Sequence, residues 1–105
     1  MNNFKSPTYG GELTEFCIIE HRQNIVAIGI RYLPEVGMHY VITSPIVTHV
    51  NEFETIRTWD KHYKLINLVK VDTEVAFYQA YFDRIVNRGF WVTELVVAPE
   101  LKTVN

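Results

Sequence analysis

Four histidines (His21, His39, His49 and His62), one cysteine (Cys17) and the carboxylates of Asp60 and Glu94 are the side chains best suited to proton transfer, nucleophilic attack or metal binding. Their spacing supports little of that chemistry. No two histidines stand in an H-x-H or H-x-x-x-H pattern. Cys17 and His21 are four apart, but they lie in a run read as a strand. Four strand residues span roughly 13 Å, too far for one zinc ion. No G-x-S-x-G elbow is present to activate a serine. Cys17 sits among Phe16, Ile18 and Ile19, which reads as a buried, inert thiol. Acid–base or phosphodiester chemistry would need His39, His49 or His62 to converge with Asp60 or Glu94. The glycines, Gly10-Gly11 and Gly29, match neither dinucleotide nor P-loop fingerprints. No metal and no cofactor is expected.

Surface patterns carry more information. In a helix over Thr73–Arg88, Phe77, Tyr81, Arg84 and Arg88 share a strip off the apolar stripe. Aromatic and arginine side chains together are the composition favoured at interface hot spots. These four residues are the expected partner-binding site. In a helix over Asn51–Lys64, Arg57, Lys61 and Lys64 would form a basic patch.

The elements that must position these residues are legible to different degrees. Leu13–Glu20, Asn24–Leu33 and Met38–Thr43 read as strands, with a hairpin loop at Pro34–Gly37. The second has bulky residues at Val26, Ile28, Ile30 and Tyr32, and small ones at Ala27 and Gly29. Its small face is expected to be covered closely by a helix. Pro45 interrupts the ladder, and Ile46–Val50 reads as a short edge strand or an extended lead-in.

Asn51–Lys64 is read as a first helix. Phe53, Ile56, Trp59 and Tyr63 fall on one side at helical spacing, Asn51 and Glu54 suit a capping box, and the turn residues of a tight hairpin are missing. Leu65–Val71 is a strand. Asp72 caps a second helix, with Val75, Tyr78, Phe82, Ile85 and Val86 as its stripe and Gly89 past its end. Phe90–Val97 is a last strand.

The expected fold is α+β: a mixed, mainly antiparallel sheet of five to six strands with two helices on one face, in the order β-β-β-(β)-α-β-α-β. Residues 1–11 are read as a flexible N-terminal arm, and 12–105 as one domain.

Composition bounds the function. The chain has 105 residues, 48% of them hydrophobic and 21% charged. This is an ordinary globular balance. Val, Ile, Thr and aromatic residues outweigh Leu and Ala, which favours strand. A net charge of −2 argues against a dedicated nucleic-acid binder. One cysteine precludes an internal disulfide. No secretory signal is visible, and no apolar run approaches the roughly 18 residues of a membrane span. These features point to a cytoplasmic protein without membrane contact. The expectation is a small interaction protein that binds a protein partner, as regulator or inhibitor, with self-association as a variant. The first alternative is a nucleic-acid binder using basic helix faces, and the second a histidine-dependent hydrolase or nuclease.

Overall fold

A computed structural model of the chain describes residues 8–35, 37–86 and 94–97. They form seven strands and one helix: β1 (Thr8–His21), β2 (Asn24–Leu33), β3 (Gly37–Ile42), β4 (Thr48–Val50), β5 (Thr55–Arg57), β6 (Lys61–Leu68), α1 (Asp72–Val86) and β7 (Leu95–Val97). The sheet order is β4-β5-β6-β1-β2-β3-β7. Only β1 and β6 are parallel. The expected α+β fold with two helices and five to six strands is therefore corrected to a mainly β fold with one helix. Of the expected arm, Thr8–Gly11 begin β1, and residues 1–7 lie outside the described residues. So do Arg88, Gly89 and the first residues of the expected last strand.

The sheet closes on itself. Past β3 the chain still bonds β2, with the Thr43 N–H on the Ala27 carbonyl (2.9 Å) and the Ile46 N–H on that of Ile25 (2.7 Å). It then crosses to β5, where the Val47 N–H meets the Arg57 carbonyl at 2.7 Å and β4 takes up its ladder. Strands β1, β2, β3–β4, β5 and β6 thus enclose a small barrel, which a few side chains suffice to fill. Leu13, Phe16, Ala27, Val41, Ile56, Tyr63 and Leu65 are its buried interior. The second core lies on the outer face. There Cys17, Ile19, Val26, Ile28, Ile42 and Val69 pack against Tyr78, Tyr81, Phe82 and Val86 of α1.

Strand β1 feeds both cores, as β2 and β3 do, but its inward positions change phase along the strand, which strict alternation would forbid. Leu13 and Phe16 face the interior, while Cys17 and Ile19 face the helix. The switch is a bulge. The β1–β2 register jumps between Thr14 and Cys17, and Glu15 adopts a left-handed φ of 49°. One extra residue turns the following side chains to the opposite face. On β2 the small face, Ala27 and Gly29, looks into the barrel, and bulky Val26 and Ile28 lie under α1. This reverses the expected side. The barrel is narrow: a Cβ on Gly29 would stand 3.0 Å from that of Leu13.

The expected first helix is a hairpin. Ile56 pairs with Tyr63 and Arg57 with His62 across β5 and β6. A stripe at helical spacing also fits two strands here, because Ile56 and Tyr63 sit on either side of the turn and face inward together. The turn lacks a glycine pair because Thr58 closes it. Its Oγ1 accepts from the Lys61 N–H (3.1 Å), and its own N–H donates to the Lys61 carbonyl (2.7 Å). Trp59, expected in the core, is 62% exposed at the tip. Asn51 and Glu54 do touch, Nδ2 to Oε1 at 3.4 Å, but across a left-handed loop. Asn51, Glu52 and Phe53 all have positive φ there.

The second helix forms at Asp72–Val86, with Asp72 and Glu74 in the first turn, where the helix dipole favours them. Phe82 is fully buried and Tyr78 nearly so, while Val75 and Ile85 pack at the margin.

Phe82→Ala should cost about 3–5 kcal/mol in urea unfolding, since a fully buried ring is replaced by a cavity. The opposite sign is expected at the β1–β2 turn, where Arg22 and Gln23 both hold positive φ. Gln23→Gly should stabilise by roughly 0.5–1 kcal/mol, the relieved strain less the entropy glycine adds to the unfolded chain.

Candidate functional site

The fold separates the residues proposed from sequence. On α1, Phe77 is 38% exposed and Arg84 is exposed, whereas Tyr81 is buried to 3%. Tyr81 is therefore the floor of the strip. Its ring stacks on Phe77 (5.9 Å between centroids, 19°), and the Arg84 guanidinium lies 5.3 Å over its face. Tyr40 of β3 completes the group, 4.9 Å from Tyr81, 5.9 Å from Tyr78 and 6.3 Å from Phe77. Sequence spacing missed Tyr40, because only the sheet brings β3 beneath the helix.

The basic patch dissolves with its helix. Arg57 and Lys64 point to the outer face of the β5–β6 hairpin, beside His62, whose ring lies 5.0 Å from Tyr9. Lys61, one residue before His62, belongs to the other face. Its Nζ is 3.6 Å from the Glu94 carboxylate. The histidines do not converge either. His39 pairs with Arg31, His49 stacks on Phe53 at 3.9 Å, and His62 faces Arg57. Among the described residues no group of three or more His, Cys, Asp or Glu is placed to hold a metal ion.

Glu94 centres the most developed polar network. Arg31 donates to it through two nitrogens, at 2.8 and 3.4 Å, and the Tyr63 hydroxyl donates at 2.6 Å. Arg31 also reaches the Gly10 carbonyl at 2.7 Å. Gly10 must lack a side chain, since a Cβ there would fall 2.4 Å from the Tyr63 ring. Burial pushes the Glu94 carboxyl up, but the Arg31 and Tyr63 hydrogen bonds and the Arg31 and Lys61 charges outweigh it. The group titrates below its usual value of 4.5. Burial first, then the bond to Glu94, push the Tyr63 hydroxyl far above the ordinary tyrosine range, so it remains a donor. The Glu94 carboxylate, the terminal nitrogens of Arg31 and the Tyr63 hydroxyl face one another, the arrangement of a structural plug, while the buried Arg31 Nε has no hydrogen-bond partner among the described residues.

A different arrangement lies at the start of α1. Glu15, Ile30, Tyr40, Val69, Thr73, Glu74, Phe77 and Tyr78 line a pocket of about 490 Å³ between the helix and the outer sheet face. The Tyr78 hydroxyl donates to the Glu15 carbonyl at 2.6 Å, which ties the helix to the bulge. Burial raises that hydroxyl far above its usual range, with further contributions from Tyr40 and the Glu15 and Glu74 carboxylates. The sequence signals for this site were Phe77, off the apolar stripe of the helix, and Glu15, a charge that breaks the apolar run LTEFCII.

No family model matches the chain, and no curated protein or solved structure is significantly similar to it.

The Glu94 network should be visible in pH-dependent stability. Glu94 is more acidic folded than unfolded, so its contribution is complete above 4.5 and is lost as pH falls through its depressed value. The stability gap between the native chain and Glu94→Gln should stay constant from neutral pH down to about 4.5 and shrink as the pH falls from there through the depressed value. Tyr63→Phe, which removes one charged hydrogen bond, should cost about 1.5–3 kcal/mol in the same urea titrations.

Proposed function

We propose that the chain is a binding protein that docks a protein partner on the Phe77–Arg84 face of α1. The observation that carries this reading is Phe77. It is a large ring left 38% exposed on a platform that is otherwise locked, packed on Tyr40, Tyr78 and Tyr81, with Arg84 held over Tyr81. A preorganised aromatic anchor beside an arginine binds at low entropic cost, because few rotamers remain to be frozen. Regulation or inhibition by occupancy is the role such a surface suits. The buried free thiol of Cys17 accords with a reducing, cytoplasmic setting. Among the described residues no helix is long and apolar enough to cross a membrane.

A second reading has an observation of its own. Arg57, His62 and Lys64 share the outer face of the barrel wall with the exposed ring of Tyr9. Cations interleaved with an aromatic ring suit single-stranded nucleic acid. Nothing comparable supports the hydrolase reading, since the histidines face different partners.

The test is affinity capture from the native cell, followed by affinity measurement on the purified complex. Phe77→Ala, Arg84→Ala should weaken binding by about 2 kcal/mol, roughly thirtyfold, measured at a temperature where the variant's amide spectrum shows it folded. Arg57→Ala, Lys64→Ala should leave affinity nearly unchanged. The reverse pattern, with a steep loss of affinity on adding salt, would move the function to nucleic acid. Sedimentation of the chain alone separates self-association from a foreign partner.

A further inference from the structure

The pocket beside Phe77 carries a chemical preference. Three rings line it, those of Tyr40, Phe77 and Tyr78, with centroids 5.9–6.3 Å apart and planes tilted by 45–85° to one another. Two carboxylates, Glu15 and Glu74, stand among its lining residues. Both residues are solvent-exposed, and among the described residues neither forms an ion pair or a side-chain hydrogen bond. Their electrostatic reach extends into the site, because both act on the Tyr78 hydroxyl. Ile30 and Val69 supply an apolar floor. Tilted aromatic faces attract a cation through their quadrupoles, and carboxylates at the rim add direct Coulomb attraction. An alkyl chain ending in a positive charge satisfies all three parts. Its stem covers the floor, while its head meets the rings and the carboxylates.

We propose that this pocket binds the side chain of a lysine or arginine presented by the protein partner, with Glu15 and Glu74 as counter-charges and Tyr40, Phe77 and Tyr78 as the ring lining. The proposal rests on the docking face described above and names what enters beside it. Phe77 serves both surfaces. It lines both the pocket and the hollow formed with Ala80, Tyr81 and Arg84. The pocket offers two anions, and the matching partner surface therefore carries a basic residue.

The probe is N-acetyl-lysine methylamide, with neutral N-acetyl-norleucine methylamide as its comparison, titrated into the full chain by amide NMR. Saturable shifts are expected at Glu15, Val69 and Thr73–Tyr78. The neutral compound should bind at least about fivefold more weakly, the factor a cation–ring contact supplies. Glu15→Gln, Glu74→Gln keeps side-chain shape and should lose a similar factor. Glu35→Gln, Glu52→Gln changes net charge equally but lies away from the pocket, and should lose none. Equal binding of the two compounds, shifts confined to another face, no saturable shift, or equal losses in both variants would each overturn the proposal. The two readings fail separately. A partner that responds to Phe77→Ala, Arg84→Ala but not to Glu15→Gln, Glu74→Gln overturns the cation pocket alone. Lysine-analogue binding in a chain whose partner ignores Phe77 overturns the docking face alone.

Discussion

The bulge at Glu15 is the constraint on which the rest of this molecule depends. Strand β1 is paired at both edges, with β6 and with β2, and its two faces are buried in different layers. Without an inserted residue, Leu13 and Cys17 would share a face and Phe16 would leave it. With Glu15 held in the left-handed region, Leu13 and Phe16 fill the barrel while Cys17 and Ile19 lie under α1. A non-glycine residue in that conformation costs about 1–2 kcal/mol. The ordering of two cores offsets it, together with the 2.6 Å bond from Tyr78 to the carbonyl the bulge exposes. That bond fixes the start of α1 against the sheet, and through it the Tyr40–Phe77–Tyr78–Tyr81 platform. The same residue turns its carboxylate to the pocket rim. Core formation and the candidate site thus share one backbone distortion.

Barrel closure divides the charged residues into two populations. Those on the inner face, Arg31, Lys61 and Glu94, pair with one another around the Tyr63 hydroxyl, and their chemistry serves stability. Glu15 and Glu74, beside and on α1, and Arg57 and Lys64, on the outer face of the β5–β6 hairpin, are solvent-exposed. The division explains why the most perturbed carboxylate is not the candidate for function. Glu94 has every reason to stay ionised and paired. Glu15 and Glu74 stand beside aromatic rings with no described counter-ion.

Legibility in the sequence followed the locality of each signal. Helix α1 carried its own cap, stripe and dipole pattern within one segment, and it forms where those signals place it. Strands β1 to β3 were readable from β-branched runs and a proline-bounded loop. The Asn51–Lys64 segment was misread because its inward residues, Ile56 and Tyr63, are partners across a turn. Their spacing of seven also suits two turns of helix. The hairpin is closed by the Thr58 side chain in place of a glycine pair, a device that composition does not announce. The exposed-strip assignment failed at Tyr81 for a related reason. Helical periodicity defines a stripe, but the width buried depends on what lies beneath, and here Tyr40 and the outer face of β3 reach further round the helix. The Glu94 network joins residues more than sixty positions apart, beyond any local pattern.

The most direct measurement is the set of nuclear Overhauser contacts made by β1 side chains in solution, with the backbone coupling constant at Glu15. The account predicts that Leu13 and Phe16 both contact Tyr63 and Leu65, that Cys17 and Ile19 contact Phe82, and that Glu15 shows the coupling of a left-handed residue. Contacts from Leu13 and Cys17 to the same layer, with Glu15 in extended conformation, would contradict it, because Phe16 would then leave the barrel interior and Cys17 and Ile19 would leave the layer beneath α1.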